Sequence, residues 1–296
     1  VSIAGGMWTT PEQPSFYEAY WNGDDIPAWK DGNGVYRFVA RIGGALTVAA
    51  GAAIDVSGKG FQSYEGPGSG SHAGFAGWQA DLYECIHWEM MTTPTDFTYG
   101  SIKKPVTIGS GGDIDYMDPD YCGCGGGGIE LEVAGAVTVA GALRADGKGL
   151  PHDDYNEDYY WMQAGAGGAI WVKAASFTGA GTVSARNGFV IWYNGSGGRI
   201  SIVLTGEGST FAGWTGEIST TDNYLDWDDD FFNYPTAGTI YLEEAGLNGV
   251  GDLILKDGAP VDPYEYGYYA YYDDQRLHFQ TPMTVGDPED THFRDV

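Results

Sequence analysis

The densest set of ionisable side chains with a defined spacing is Asp113-x-Asp115-x-x-Asp118-x-Asp120. Closely spaced carboxylates suit Ca²⁺, which takes about six to eight oxygen ligands and tolerates irregular loops. Asp228 and Asp230, within the run Asp226 to Asp230, are further candidate ligands. Neither run meets the EF-hand pattern, so the competing reading is a solvated acidic face. Aromatic residues are interleaved with the acids: Tyr159, Tyr160 and Trp161, then Trp192 and Tyr193, then Tyr224 and Trp227. Rings present flat apolar faces to sugars while carboxylates bond hydroxyls, so these residues are candidates for glycan binding or surface contact. They could equally pack long loops onto the body of the protein.

Other reactive side chains are sparse. Cys85, Cys122 and Cys124 are too few for a structural zinc site, and a bridge from Cys85 to Cys122 or Cys124 competes with three free thiols. Asn194-Gly195-Ser196 fits an N-glycan acceptor. His87, His152, His278 and His292 follow no metal-ligand spacing, and no Gly-x-Ser-x-Gly elbow marks a serine nucleophile. A polyuronate lyase needs a cation beside its base, for which Lys173, Arg186 and Arg199 are available, whereas a hydrolase needs two carboxylates at a set separation. A net charge of −27 would repel a polyuronate, so the expectation is a protein with no catalytic residues rather than a polysaccharide lyase or hydrolase.

The elements that position these residues follow from composition and repetition. With 43% apolar residues among 296, the chain can bury a core. Its 48 glycines follow no strict triplet period, so they mark turns or close approaches rather than a collagen helix. The 14 basic residues set against 41 acidic ones argue against nucleic acid and anionic lipid as partners. No apolar run approaches the ~18 residues of a membrane span, so no membrane insertion is expected. The start Val1-Ser2-Ile3-Ala4 carries neither initiator Met nor leader pattern, which suggests a mature, trimmed or partial chain.

Short alternating stretches recur: Gly128 to Val133, Ala136 to Gly141 and Ala142 to Gly147, then Gly168 to Val172 with Gly181 to Ala185, then Gly198 to Ile202 with Glu217 to Thr220, then Gly238 to Leu242 with Asp252 to Leu255. Leu46 to Val48 and Ile54 to Val56 form an earlier copy. Period-2 alternation over such lengths reads as half-buried strand. The spacing predicts an all-β fold, a right-handed single-stranded parallel β-helix of about five coils, with Ile129, Ile170, Ile200 and Ile240 in one interior stack. Gly127-Gly128, Gly167-Gly168 and Gly197-Gly198 are expected to supply the positive φ of tight corners. The long insertions, including 59–126, all leave one corner and should stack into one aromatic, acidic wall. Residues 1–34 and 259–296 do not repeat and are expected to be capping or assembly segments flanking a helix over 35–258.

Tyr99 to Gly112, Gly125 to Gly147, Ala237 to Leu242 and Asp252 to Leu255 resemble the glycine-rich parallel β-helix modules of large secreted or surface-anchored bacterial and archaeal proteins. The resemblance implies an extracellular or cell-surface protein of adhesin type and brings no active site with it. The expected function is structural or adhesive, with copies associating through their ends into a filament. A glycan-binding module that holds surface polysaccharide is the alternative.

Overall fold

The computed structural model describes residues 1–13, 35–63, 65–66, 72, 99–112, 123–149, 163–189, 194–221 and 237–256. Its strands are β1 (Ser2–Ile3), β2 (Gly6–Trp8), β3 (Phe38–Ile42), β4 (Leu46–Val48), β5 (Ala52–Asp55), β6 (Gly128–Val139), β7 (Ala142–Arg144), β8 (Ala169–Thr178), β9 (Thr182–Ser184), β10 (Arg199–Leu204), β11 (Glu217–Ser219), β12 (Gly238–Glu243) and β13 (Asp252–Lys256). One 3-10 turn, Phe211–Gly213, is the single helical element among the described residues.

Alternation sets the inner face of each strand. Ile129, Ile170, Ile200 and Ile240 pair in register across β6, β8, β10 and β12, and all are buried. On the other sheet Ile54, Leu143, Val183 and Ile218 form the corresponding row across β5, β7, β9 and β11. Both rows enter one apolar core, so each sheet covers the other's inner face. The outer face of the larger sheet is covered as well. Glu130, Trp171, Ser201 and Tyr241 stand in one register row, and each is less than a tenth exposed.

The architecture corrects the expected single-stranded parallel β-helix. The strands form two open sheets, one of eight strands in the order β1-β4-β6-β8-β10-β12-β13 with β3 also on β6, and one of five in the order β11-β9-β7-β5-β2. The larger sheet is of mixed direction, because β13 runs antiparallel to β12. Two stretches that read as separate strands are joined in β6, which carries an irregularity between Val133 and Ala136 where its register to β8 shifts. Alternation specifies that a segment is a strand, but not how many sheets share the strands or which way the last one runs. The reversal before β13 is set by a turn in which Gly246, Asn248 and Gly249 all adopt positive φ.

Glycine-rich segments lie alongside the strands and bond backbone to backbone in several directions. Gly125 N–H donates to the Phe61 carbonyl, Gly126 N–H to Ala166 and Gly127 N–H to Val56. The carbonyls of Gly125 and Gly126 accept from Gly60 and Gly109, and that of Cys124 accepts from Lys148. A Cβ on Gly126 would overlap the Ala145 carbonyl oxygen, and one on Gly168 would overlap that of Gly127. The Gly127-Gly128, Gly167-Gly168 and Gly197-Gly198 pairs are not among the positive-φ glycines, so the expected corner conformation is wrong. Gly127, Gly167, Gly168, Gly197 and Gly198 are glycine because neighbouring backbones come too close for a side chain, whereas Gly128 would meet only side-chain atoms of Arg37 and Ile108.

The insertion 59–126 does not leave the body entirely, since Gly60, Gly109 and Gly125 are woven into this backbone layer. Within the N-terminal segment, β1 pairs with β4 and β2 with β5 as edge strands of the two sheets. Residues 257–296 lie outside the described residues.

Ile200→Ala should lower unfolding free energy by about 3 kcal/mol, because the side chain is fully buried between two paired isoleucines. Gly126→Ala should cost at least about 2 kcal/mol, whereas Gly43→Ala, with nothing near its added methyl, should change stability by less than about 0.5 kcal/mol. Urea unfolding followed by circular dichroism checks all three.

Candidate functional site

The best-defined polar constellation lies where the glycine layer meets the outer face of the larger sheet. Its centre is His72, which is completely buried. The ring makes two hydrogen bonds, Nδ1 to the Gly167 carbonyl at 2.7 Å and Nε2 to Thr107 Oγ1 at 2.9 Å. A carbonyl can only accept, so Nδ1 carries the proton and Nε2 accepts from the Thr107 hydroxyl. His72 N–H donates to Ser196 Oγ at 2.7 Å. The Tyr99 ring packs on the imidazole at 4.6 Å between centroids, and its hydroxyl donates to the Ile108 carbonyl and contacts Ser110 Oγ.

Arg199 opens β10 and is 1% exposed. Its Nε donates to the Tyr99 carbonyl at 2.9 Å and its Nη1 to Thr239 Oγ1 at 3.2 Å. Burial, and then the Arg199 charge, push the His72 imidazole down to a pKa of about 3. Burial pushes the Tyr99 phenol upward. The arrangement therefore holds a neutral histidine and a cation inside the protein. Both hydrogen-bond to the chain itself and so fasten its segments together.

A second polar group lines the outer face of the smaller sheet. Arg144 pairs with Asp55 at 3.4 Å, and Arg186 pairs with Glu217 at 2.8 Å and bonds Ser219 Oγ. Between them Asp146 accepts from Arg186 N–H and the Ser184 hydroxyl. Burial raises the Asp146 pKa despite these bonds.

The sequence-based candidates fall unevenly on the structure. Tyr159, Tyr160, Trp161, Trp192, Tyr193, Tyr224 and Trp227 lie outside the described residues, as do Asp113, Asp115, Asp118, Asp120, Asp228 and Asp230. Among the described residues no three His, Cys, Asp or Glu side chains gather to hold a metal. Cys124 is disulfide-bonded, while Cys85 and Cys122 lie outside the described residues. Asn194 is buried at 5% exposure and Ser196 at 0% in the folded chain. Of the cations considered for a lyase, Arg199 is internal and Arg186 is engaged by Ser219 and Glu217, whereas Lys173 is exposed on β8.

Sequence reasoning missed His72. It stands in the Gly-Ser run Gly68 to Gly74 with no ligand spacing around it, and its partners, from Tyr99 to Ser196, are 27 to 124 residues away in the chain. The only signal was its isolation as an ionisable residue in a stretch of small ones.

Asp146→Asn should be at least as stable as the parent at pH 7, since an amide keeps an acceptor for Arg186 N–H and removes the buried charge. A raised folded-state pKa means that stability is fullest below the ordinary value of 3.8 and is lost as pH rises through the folded value, so the advantage should vanish near pH 3. Urea unfolding at the two pH values tests this. Comparison of the chain with protein-family models, curated proteins and solved structures found no match to any of them.

Proposed function

We propose that the chain is an extracellular structural or adhesive protein whose copies associate end to end through their sheet edges. The observation that carries this reading is where the exposed apolar side chains lie. Among the described residues the large ones are Val1, Met7 and Trp8 on or beside β1 and β2, Tyr36 and Val39 on or beside β3, and Val250, Ile254 and Leu255 on or beside β13. All are therefore at the first and last edges of the stacked strands, and none is on β6, β8 or β10 between them. Exposed strand edges with apolar side chains are templates for pairing with another chain.

Two different edges meeting give a contact that does not close on itself, so association extends into a filament. The disulfide at Cys124 supports an oxidising, extracellular setting. Calcium and surface polysaccharide remain proposals that rest on Asp113 to Asp120, Asp228, Asp230 and the aromatic insertions.

Negative-stain microscopy and sedimentation velocity across micromolar concentrations test the association. The parent chain should form end-to-end strings that lengthen with concentration, and Met7→Lys with Val39→Lys should reduce them to monomers. A parent chain that stays monomeric at every concentration would overturn the proposal.

A further inference from the structure

Residues 99–108 cross the outer face of the larger sheet as a strap. Ile102 packs with Tyr241 and Leu253, the Ser201 hydroxyl donates to the Lys103 carbonyl at 2.6 Å, and Lys104 Nζ lies 4.8 Å from the centre of the Trp171 ring. Lys103 Nζ donates to the Gly249 carbonyl at 2.8 Å. Beneath the strap Trp171 is 6% exposed and Tyr241 fully buried. At both ends it is fastened through His72: Tyr99 N–H donates to the His72 carbonyl, and Thr107 bonds the ring.

We propose that His72 is an acid-sensitive latch, whose protonation releases the strap and uncovers Trp171 and Tyr241 while the two-sheet body stays folded. The proposal is independent of how copies associate. Its basis is the geometry of the imidazole. Nδ1–H is committed to the Gly167 carbonyl, so an incoming proton must go to Nε2. There it meets the Thr107 hydroxyl, which must surrender its own donation and turn round.

Among the described residues the site offers the new charge no counter-ion. The strap contributes Tyr99, with Lys103 and Lys104 further along, and β10 contributes Arg199, another cation. The backbones that hold the ring, 163–168 and 194–198, carry no ionisable side chain. Glu65 meets this segment beyond the latch, through a backbone bond to Gly111. A histidine held neutral down to about 3, against an ordinary 6.5, binds its proton far more readily once the strap is open.

The closed strap is therefore fully favoured above about pH 6.5 and loses ground as pH falls. Between about pH 6 and pH 4 each unit should raise the open fraction by up to about tenfold. The segment is suited to local opening because most of its fastenings are polar and few apolar side chains hold it, whereas β6, β8 and β10 are locked by the core.

Hydrogen exchange of the 99–112 amides from pH 7 to pH 4, corrected for intrinsic rates, reads the latch directly. The parent should show strap opening that grows about tenfold per pH unit, together with a change in Trp171 fluorescence. His72→Asn, which keeps a donor for Gly167 but does not ionise, should show flat opening. Should that variant not fold, the imidazole nitrogen shifts of the parent serve instead, with the His72 ring staying neutral until the strap amides exchange. The proposal is overturned if strap protection in the parent is independent of pH, if residues 199–204 lose protection in step with the strap, or if His72 titrates near 6.5 with the strap still protected.

Discussion

Backbones that approach closely enough to hydrogen-bond on more than one side leave no volume for a Cβ, and the rest of this protein is arranged around that constraint. Gly125, Gly126 and Gly127 donate to three different segments and sit against carbonyls that a methyl group would strike. The layer they build brings residues 60–63, 109–112, 123–127, 145–149 and 163–168 together although they are far apart in the chain. Glycine loses more entropy on ordering than any other residue, so such a layer is stable only if the bonds are satisfied and the flanking sheets supply apolar burial. Here they do, because the layer adjoins a core made by both sheets.

The same layer explains why buried polar side chains are tolerated beside it. Where its residues are glycine the layer leaves carbonyls open to its neighbours, and His72 uses that of Gly167; Arg199 likewise uses a backbone carbonyl, that of Tyr99. Buried donors that find acceptors cost little, whereas the same groups left without them would cost about 1 to 3 kcal/mol each. The strap is thereby held to the sheet by directional bonds as well as by Ile102. Directional fastening of this kind responds to protonation in a way that apolar packing does not.

The edges of the two sheets are the other consequence. A stack of paired strands must end somewhere, and at its ends the ladder groups and the apolar faces lose their neighbours. Val1, Met7, Trp8 and Val39 mark the first end and Ile254 and Leu255 the last. The interior rows have no such exposure, which locates association at the ends. The net charge of −27 gives like-charged copies a mutual repulsion that the apolar ends must overcome.

What the residues alone determined was which short segments become strands and which of their side chains turn inward. Ile129, Ile170, Ile200 and Ile240 are legible because period-2 alternation is a local property that holds whatever the strand pairs with. The paired strands β1 and β2 escaped notice although Val1 to Trp8 carries the same pattern as Leu46 to Ile54, because a single copy far from its neighbours does not announce a repeat. The number of sheets, the antiparallel turn of β13, the role of the glycine pairs and the place of His72 were decided only by tertiary structure. Each depends on contacts between residues tens of positions apart, and a side chain's burial or a missing Cβ has meaning only once those distant backbones are in place.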